Sequence, residues 1–90
     1  MVTMIISHEV KNYADFKKVF DDDAASRTKN GIEIKGVYQD AENANHVTVV
    51  SEAVSAEAAK AFSQNPELKT IMEKAGITSK PEIKILNKVQ

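Results

Sequence analysis

Apolar residues gather in four short runs, residues 2–7, 32–39, 46–53 and 82–86, each about one strand long and bounded by polar or turn residues. Between the first two runs the spacing widens. Tyr13, Phe16, Phe20, Ala24 and Arg27 recur every three or four residues, which predicts one helix over residues 13–29. Asn12 is placed to cap its start, and Asn30-Gly31 to stop it. A second helical stretch covers residues 56–75 and opens after Ser55. Ala58 stands where a reciprocal capping box would need glutamate or glutamine. Ala58, Ala59 and Phe62 form its buried side. Because proline disfavours α geometry in the residue before it, Asn65-Pro66 predicts a break and a fresh turn, whose apolar stripe is Leu68, Ile71, Met72 and Ala75. Gly76 closes the segment, and residues 40–45 read as a hairpin loop.

The element order is therefore β-α-β-β-α-β. Right-handed crossovers and antiparallel pairing put this order into a ferredoxin-like α+β fold, with strand order 4-1-3-2 and both helices on one face. Strict alternation along each strand then sorts the residues by face. The helix-covered face is expected to hold Met4, Ile6, His8, Ile32, Ile34, Tyr38, Val47, Val49, Ile83 and Ile85. The other face has an apolar centre of Ile5, Val37, Val50 and Leu86 with a charged margin that includes Glu52, Lys35 and Lys84. An apolar line across all four strands implies a cover. A second copy of the chain is the economical one, so Ile5, Val37, Val50, Glu52 and Leu86 are the expected homodimer interface.

Ninety residues suffice for one small core, and the expected domain is 1–90. With 12 basic and 13 acidic residues the net charge is −1, which supplies no field to attract nucleic acid or an anionic membrane. The absence of cysteine removes a disulfide framework and a thiol nucleophile, and fits a reducing compartment. The first apolar run is short and lacks a basic lead, and no stretch approaches the ~18 residues of a membrane helix, so a cytoplasmic location is expected.

Several segments carry a resemblance. His8-Glu9-Val10, Asn12-Tyr13 followed by Phe16 and Phe20, Val49-Val50-Ser51-Glu52, Ala61-Phe62, and Asn65-Pro66-Glu67-Leu68-Lys69 running to Met72 and Ala75-Gly76-Ile77 resemble the small dimeric α+β-barrel proteins. That superfamily includes antibiotic-biosynthesis-monooxygenase-like, stress-responsive and cyclase-like members. The resemblance implies the fold and a homodimer, but no single activity, because the scaffold hosts unrelated chemistries. The haem-degrading relatives use a His, Asn and Trp set, and this chain has no tryptophan.

His8 and Tyr38 are the candidate ligand-binding polar groups at one end of the helix-covered face, with Phe16 or Phe20 as the apolar wall. A neutral imidazole can take a proton near pH 7, and a phenol can donate to a developing oxyanion. Against this stands a plain structural role for His8 at the rim. His46 is expected on the opposite face, so the histidines do not share a metal. Asp21-Asp22-Asp23 point about 100° apart on a helix and cannot close on one ion. No cofactor and no metal are expected, and no catalytic set is complete. Two functions follow: a small dimeric protein binding an apolar or aromatic molecule between sheet and helices, or a cofactor-independent monooxygenase or cyclase acting on an aromatic or polyketide-like substrate.

Overall fold

The computed structural model describes every residue from Met1 to Gln90. Its elements follow the order β1 (Val2–Glu9), α1 (Tyr13–Asp22), α2 (Ala24–Lys29), β2 (Ile32–Asp40), β3 (Asn43–Ala53), α3 (Ala56–Ser63), α4 (Pro66–Lys74) and β4 (Glu82–Leu86). The four strands form one antiparallel sheet in the order β2-β3-β1-β4, the expected ferredoxin-like topology.

Local chemistry sets the helix ends. Asn12 and Ser55 accept from the backbone N–H groups of Asp15 and Ala58, and Asn65 accepts from Glu67 just ahead of the proline-led α4. Gly31 and Gly76 follow the last helical residues at φ of 74° and 77°, a left-handed conformation that L side chains resist. The single helix expected over residues 13–29 is in fact two, with the break at Asp23. There the Phe20 carbonyl leaves the regular ladder and accepts from Asp23 N–H at 3.2 Å and from the Arg27 guanidinium at 2.8 Å. The loop between β2 and β3 is also shorter than expected, because pairing runs on to Asp40 opposite Asn43.

Sheet register decides which residues face the helices. Met4, Ile6 and His8 alternate into the interior, paired with Ser51, Val49 and Val47. Their odd-numbered neighbours Ile5 and Ser7 face the open side, across from Val50 and Thr48. Strand β2 departs from strict alternation. Ile34 lies opposite Ser51 and Gly36 opposite Val50, so Lys35 is an extra residue and the strand bulges. The bulge reverses the phase beyond it. Val37, expected on the open face, pairs with Val49 and packs into the helix-covered core. Tyr38, expected in that core, pairs with Thr48 on the open face and is 58% exposed, its ring lying over Gly36.

The core is divided. One cluster joins Val2, Met4, Ile6, Ile32 and Ala53 of the sheet to Ala59 and Phe62 of α3. The other joins Val47 and Val49 to Phe16 of α1, Val10 and Ala75. Ile34 borders both clusters. Beyond α4 the chain runs beside the end of β1, where Lys11 N–H donates to Gly76 O at 2.7 Å and Thr78 N–H to Glu9 O at 2.9 Å. This strap holds Ile77 opposite Val10.

Candidate functional site

Residues of both clusters line one cavity between the sheet and the helices. Its empty space, mouth included, is about 560 Å³, and the centre of a water-sized sphere can move within about 60 Å³ of it. The smaller volume is enough for a few waters or part of a small organic molecule, since one water needs only about 10–15 Å³ by the same measure. Thirteen of its 17 lining residues are hydrophobic, so a dry ligand body suits it better than a polar one.

The polar groups in this wall are few and separately placed. His8 comes from β1, Ser51 from β3, and Asp23 and Arg27 from the break between the first two helices. Ser51 is satisfied, donating to Met4 O at 3.1 Å across the sheet. His8 is only 3% exposed, yet its Nδ1 has no hydrogen-bond partner. An orphaned nitrogen of this kind costs roughly 1–3 kcal/mol. Burial pushes the imidazole below its ordinary value of 6.5; interaction with the residue's own backbone opposes that shift, and the nearby His46 adds a smaller push in the direction of burial. His8 is therefore neutral at pH 7, and its Nδ1 keeps an unused hydrogen-bonding capacity beside the cavity.

An aromatic row connects His8 to Arg27. The His8 and Phe16 ring centroids are 5.2 Å apart at a 59° tilt, and Phe16 stacks on Phe20 at 5.5 Å. The Arg27 guanidinium carbon then lies 3.9 Å from the Phe20 ring centroid. That distance is typical of a cation–π contact. Arg27 is 8% exposed and takes part in none of the molecule's ion pairs. Burial lowers its pKa while Asp23 and Asp21 oppose that change. Burial likewise raises the Asp23 carboxyl, opposed by Arg27.

Of the residues singled out in the sequence, His8, Phe16 and Phe20 do line the cavity. Tyr38 does not, because the β2 bulge carries it to the other face, and the pairing of phenol with imidazole is lost with it. Sequence reasoning undervalued Arg27, Asp23 and Ser51. A signal for Arg27 was present, since it occupies an apolar-stripe position of the first helical pattern. On the open face Ile5, Val50 and Leu86 stand as expected, and Lys35 bridges Glu33 and Glu52 at 3.2 Å each. His46 is on that face too, 4.0 Å from Glu9. No three histidine, aspartate or glutamate side chains gather as a metal-binding group.

No protein-family model matches the chain, and no curated protein matches it by sequence. Solved structures do share its fold. A Bordetella bronchiseptica protein provisionally named an antibiotic biosynthesis monooxygenase superposes with a TM-score of 0.83 at 16% identity, over 99% of this chain and 97% of that one. A similarly named Caulobacter crescentus protein gives 0.76 at 21% identity, over 99% and 90%. SnoaB, a cofactor-independent oxygenase from Streptomyces nogalater, gives 0.77 at 17% identity, over 99% and 93%. At these identities the likeness establishes the fold alone, a ferredoxin-like α+β sheet.

Proposed function

We propose that this chain binds a small apolar or aromatic molecule between its sheet and its helices. The observation that carries the reading is the buried, unpartnered Nδ1 of His8 on the wall of a largely apolar cavity. A histidine with a purely structural task would be expected to have found a partner, because buried polar groups nearly always do. The test is an amide-resolved NMR titration with a panel of one- to three-ring aromatics. Shifts at Phe16, Phe20, Ala75 and Ile77 that weaken in His8→Ala support the reading. A panel that leaves these amides unmoved, or an unchanged response in His8→Ala, sinks it.

A cofactor-independent monooxygenase or cyclase is the second reading, and the neutral state of His8 favours it specifically. A neutral imidazole in an apolar cavity can accept a proton from a phenol or an activated C–H of a bound aromatic, leaving an electron-rich anion. The fold is also that of a cofactor-independent oxygenase, SnoaB. Oxygen uptake with a hydroxylated polycyclic aromatic, lost in His8→Ala, is the expected result; uptake that does not need His8 defeats this reading.

The partner proposed for the open face is a second copy of the chain, seated on Ile5, Val50 and Leu86, with Tyr38 in the place expected for Val37. Glu52 and Lys35 would lie at the margin of that contact. No helix is long and apolar enough to cross a membrane. A cytoplasmic location belongs to the same proposal and is supported by the absence of cysteine.

A further inference from the structure

The cavity wall holds a cation as well as a neutral base, and the cation has no carboxylate of its own. Arg27 carries five N–H donors. One hydrogen bond to protein is made, from Nη1 to Phe20 O, and the guanidinium carbon lies over the Phe20 ring. The ring and the carbonyl together hold the group at the edge of the cavity. Its remaining donors have no protein acceptor; the residue is 8% exposed and borders the cavity, and His8 Nδ1 alone among the buried side-chain nitrogens and oxygens lacks a partner, so these donors are still open to whatever occupies that space. Arginine keeps its charge in such a place, because a guanidinium is too weak an acid to give up its proton inside a protein. Asp23 and Asp21 act on the cation only from beyond 4.0 Å, so an anion that reached its free donors directly would be held more strongly.

We infer that the cavity's ligand is an organic acid: a planar or aliphatic body lying against Phe16 and Phe20, with its carboxylate or other oxyanion held by Arg27. This deepens the binding reading above and rests on it. The planar fork of a guanidinium matches a carboxylate through two parallel hydrogen bonds, a match that neither a neutral amide nor an alcohol reproduces. The aromatic row sets the orientation. It runs from Arg27 through Phe20 and Phe16 to His8, so the acid group sits at the helix break and the body extends toward His8.

Asp23 is the competitor. It borders the same cavity one turn ahead of Arg27, and no ion pair joins the two within 4.0 Å. Were Asp23 to close on Arg27, the cation would be neutralised from within and a ligand acid would gain nothing.

The experiment titrates the full chain at pH 7.5 with benzoate and 1-naphthoate, each against its primary amide, and follows the amides of Phe20, Arg27, Met72 and Ala75 by NMR. The acids should bind at least about tenfold more tightly than their amides, as a desolvated bidentate pair allows. Arg27→Met should bring the acids down to the amides, Arg27→Lys should keep part of the preference, and Asp23→Asn should strengthen acid binding. If Arg27→Met does not fold, the wild-type comparison and Asp23→Asn still decide. Equal binding of acid and amide in the cavity overturns this inference and leaves the binding reading standing. An acid preference that survives Arg27→Met overturns it as well. A preference that appears only in Asp23→Asn shows that Asp23 holds the cation in the native protein, and it too removes the inference. If neither acid nor amide moves the cavity amides, both readings fall together.

Discussion

His8 is the residue at which stability and chemistry pull apart. Its Nδ1 is buried without a partner, so replacing the ring by an apolar one of similar size should stabilise the fold. His8→Phe is expected to gain about 1 kcal/mol at pH 7, read from the urea midpoint at constant slope, while losing any ligand response that depends on the imidazole. A loss of more than about 1 kcal/mol would mean that His8 makes a stabilising contact. The pH dependence follows from the same burial. The folded state holds the His8 proton less readily than the unfolded chain, whose value is 6.5. The unfolded state therefore binds more protons as the medium turns acid, and stability is complete above pH 6.5 and falls as the pH drops toward the lowered folded value. Asp23 acts with the opposite sign: its raised carboxyl adds stability below its ordinary value of 3.8 that is lost as the pH rises through the folded value. Asp23 is common to both proteins. The wild-type midpoint should thus fall more than that of His8→Phe between pH 7 and pH 5, and parallel curves would remove the burial account. Of the cavity's polar side chains, His8 was legible from strand alternation alone. Arg27 was half-legible, because a charged residue on an apolar stripe has two readings, a stem covering the core or a head buried in it, and only the break at Asp23 selects the second.

At the scale of elements, most of the fold could be read because each local signal agreed with the global pattern. Asn12, Ser55 and Asn65 cap the helices they precede, and Gly31 and Gly76 end those they follow. The two glycines provide a test with a ranking built in. At Gly76 an added Cβ would be 3.5 Å from the Lys11 Cβ, an ordinary contact, so Gly76→Ala carries only the conformational penalty of about 1–2 kcal/mol. At Gly31 the same atom would also come within 3.2 Å of a Val54 methyl carbon. Gly31→Ala should therefore lower the urea midpoint further than Gly76→Ala, and the reverse order would show that Val54 yields freely. Strand β2 is where local reading failed. Period-two alternation was carried straight through Gly36, but a lone glycine inside a strand pattern is itself a bulge signal, and the extra residue at Lys35 moved Tyr38 and Val37 to each other's expected faces. One unrecognised residue in one strand thus removed the phenol from the candidate site. The helix break at Asp23 was missed for a different reason: the carbonyl that Arg27 captures from Phe20 is a tertiary contact, invisible to spacing.

At the scale of the whole molecule, the open sheet face poses the question of a partner. Helices cover one side, and on the other Ile5 and Val50 lie directly opposite each other with Leu86 paired beside them at Thr3. Leu86 is 44% exposed and Tyr38 58%, more than a small domain gains by leaving such groups in water. The flanks are polar: Ser7 and Thr48 share a hydrogen bond at 2.9 Å, Lys35 links Glu33 to Glu52, and Lys84 pairs with Glu82 at 3.5 Å. An apolar centre with a charged margin is the composition of a contact surface, and a face of this kind can meet its own copy across a two-fold axis. Val50 lies near the middle, so Val50→Lys separates the alternatives. In a dimer the new ammonium would be buried without a partner at a cost of several kcal/mol, and the association constant should fall about a thousandfold. In a monomer the same lysine would reach solvent from its half-buried position and change the stability read from the urea midpoint by no more than about 1 kcal/mol. Analytical ultracentrifugation of both proteins from 1 to 100 μM, an order-of-magnitude window around typical homodimer affinities, reads the difference. The expected outcome is a wild-type dimer and a folded Val50→Lys monomer whose cavity still binds its ligand, because His8, Phe20 and Arg27 all lie on the other side of the sheet. A wild-type chain that sediments as a monomer throughout this range would leave the open face without the partner proposed for it.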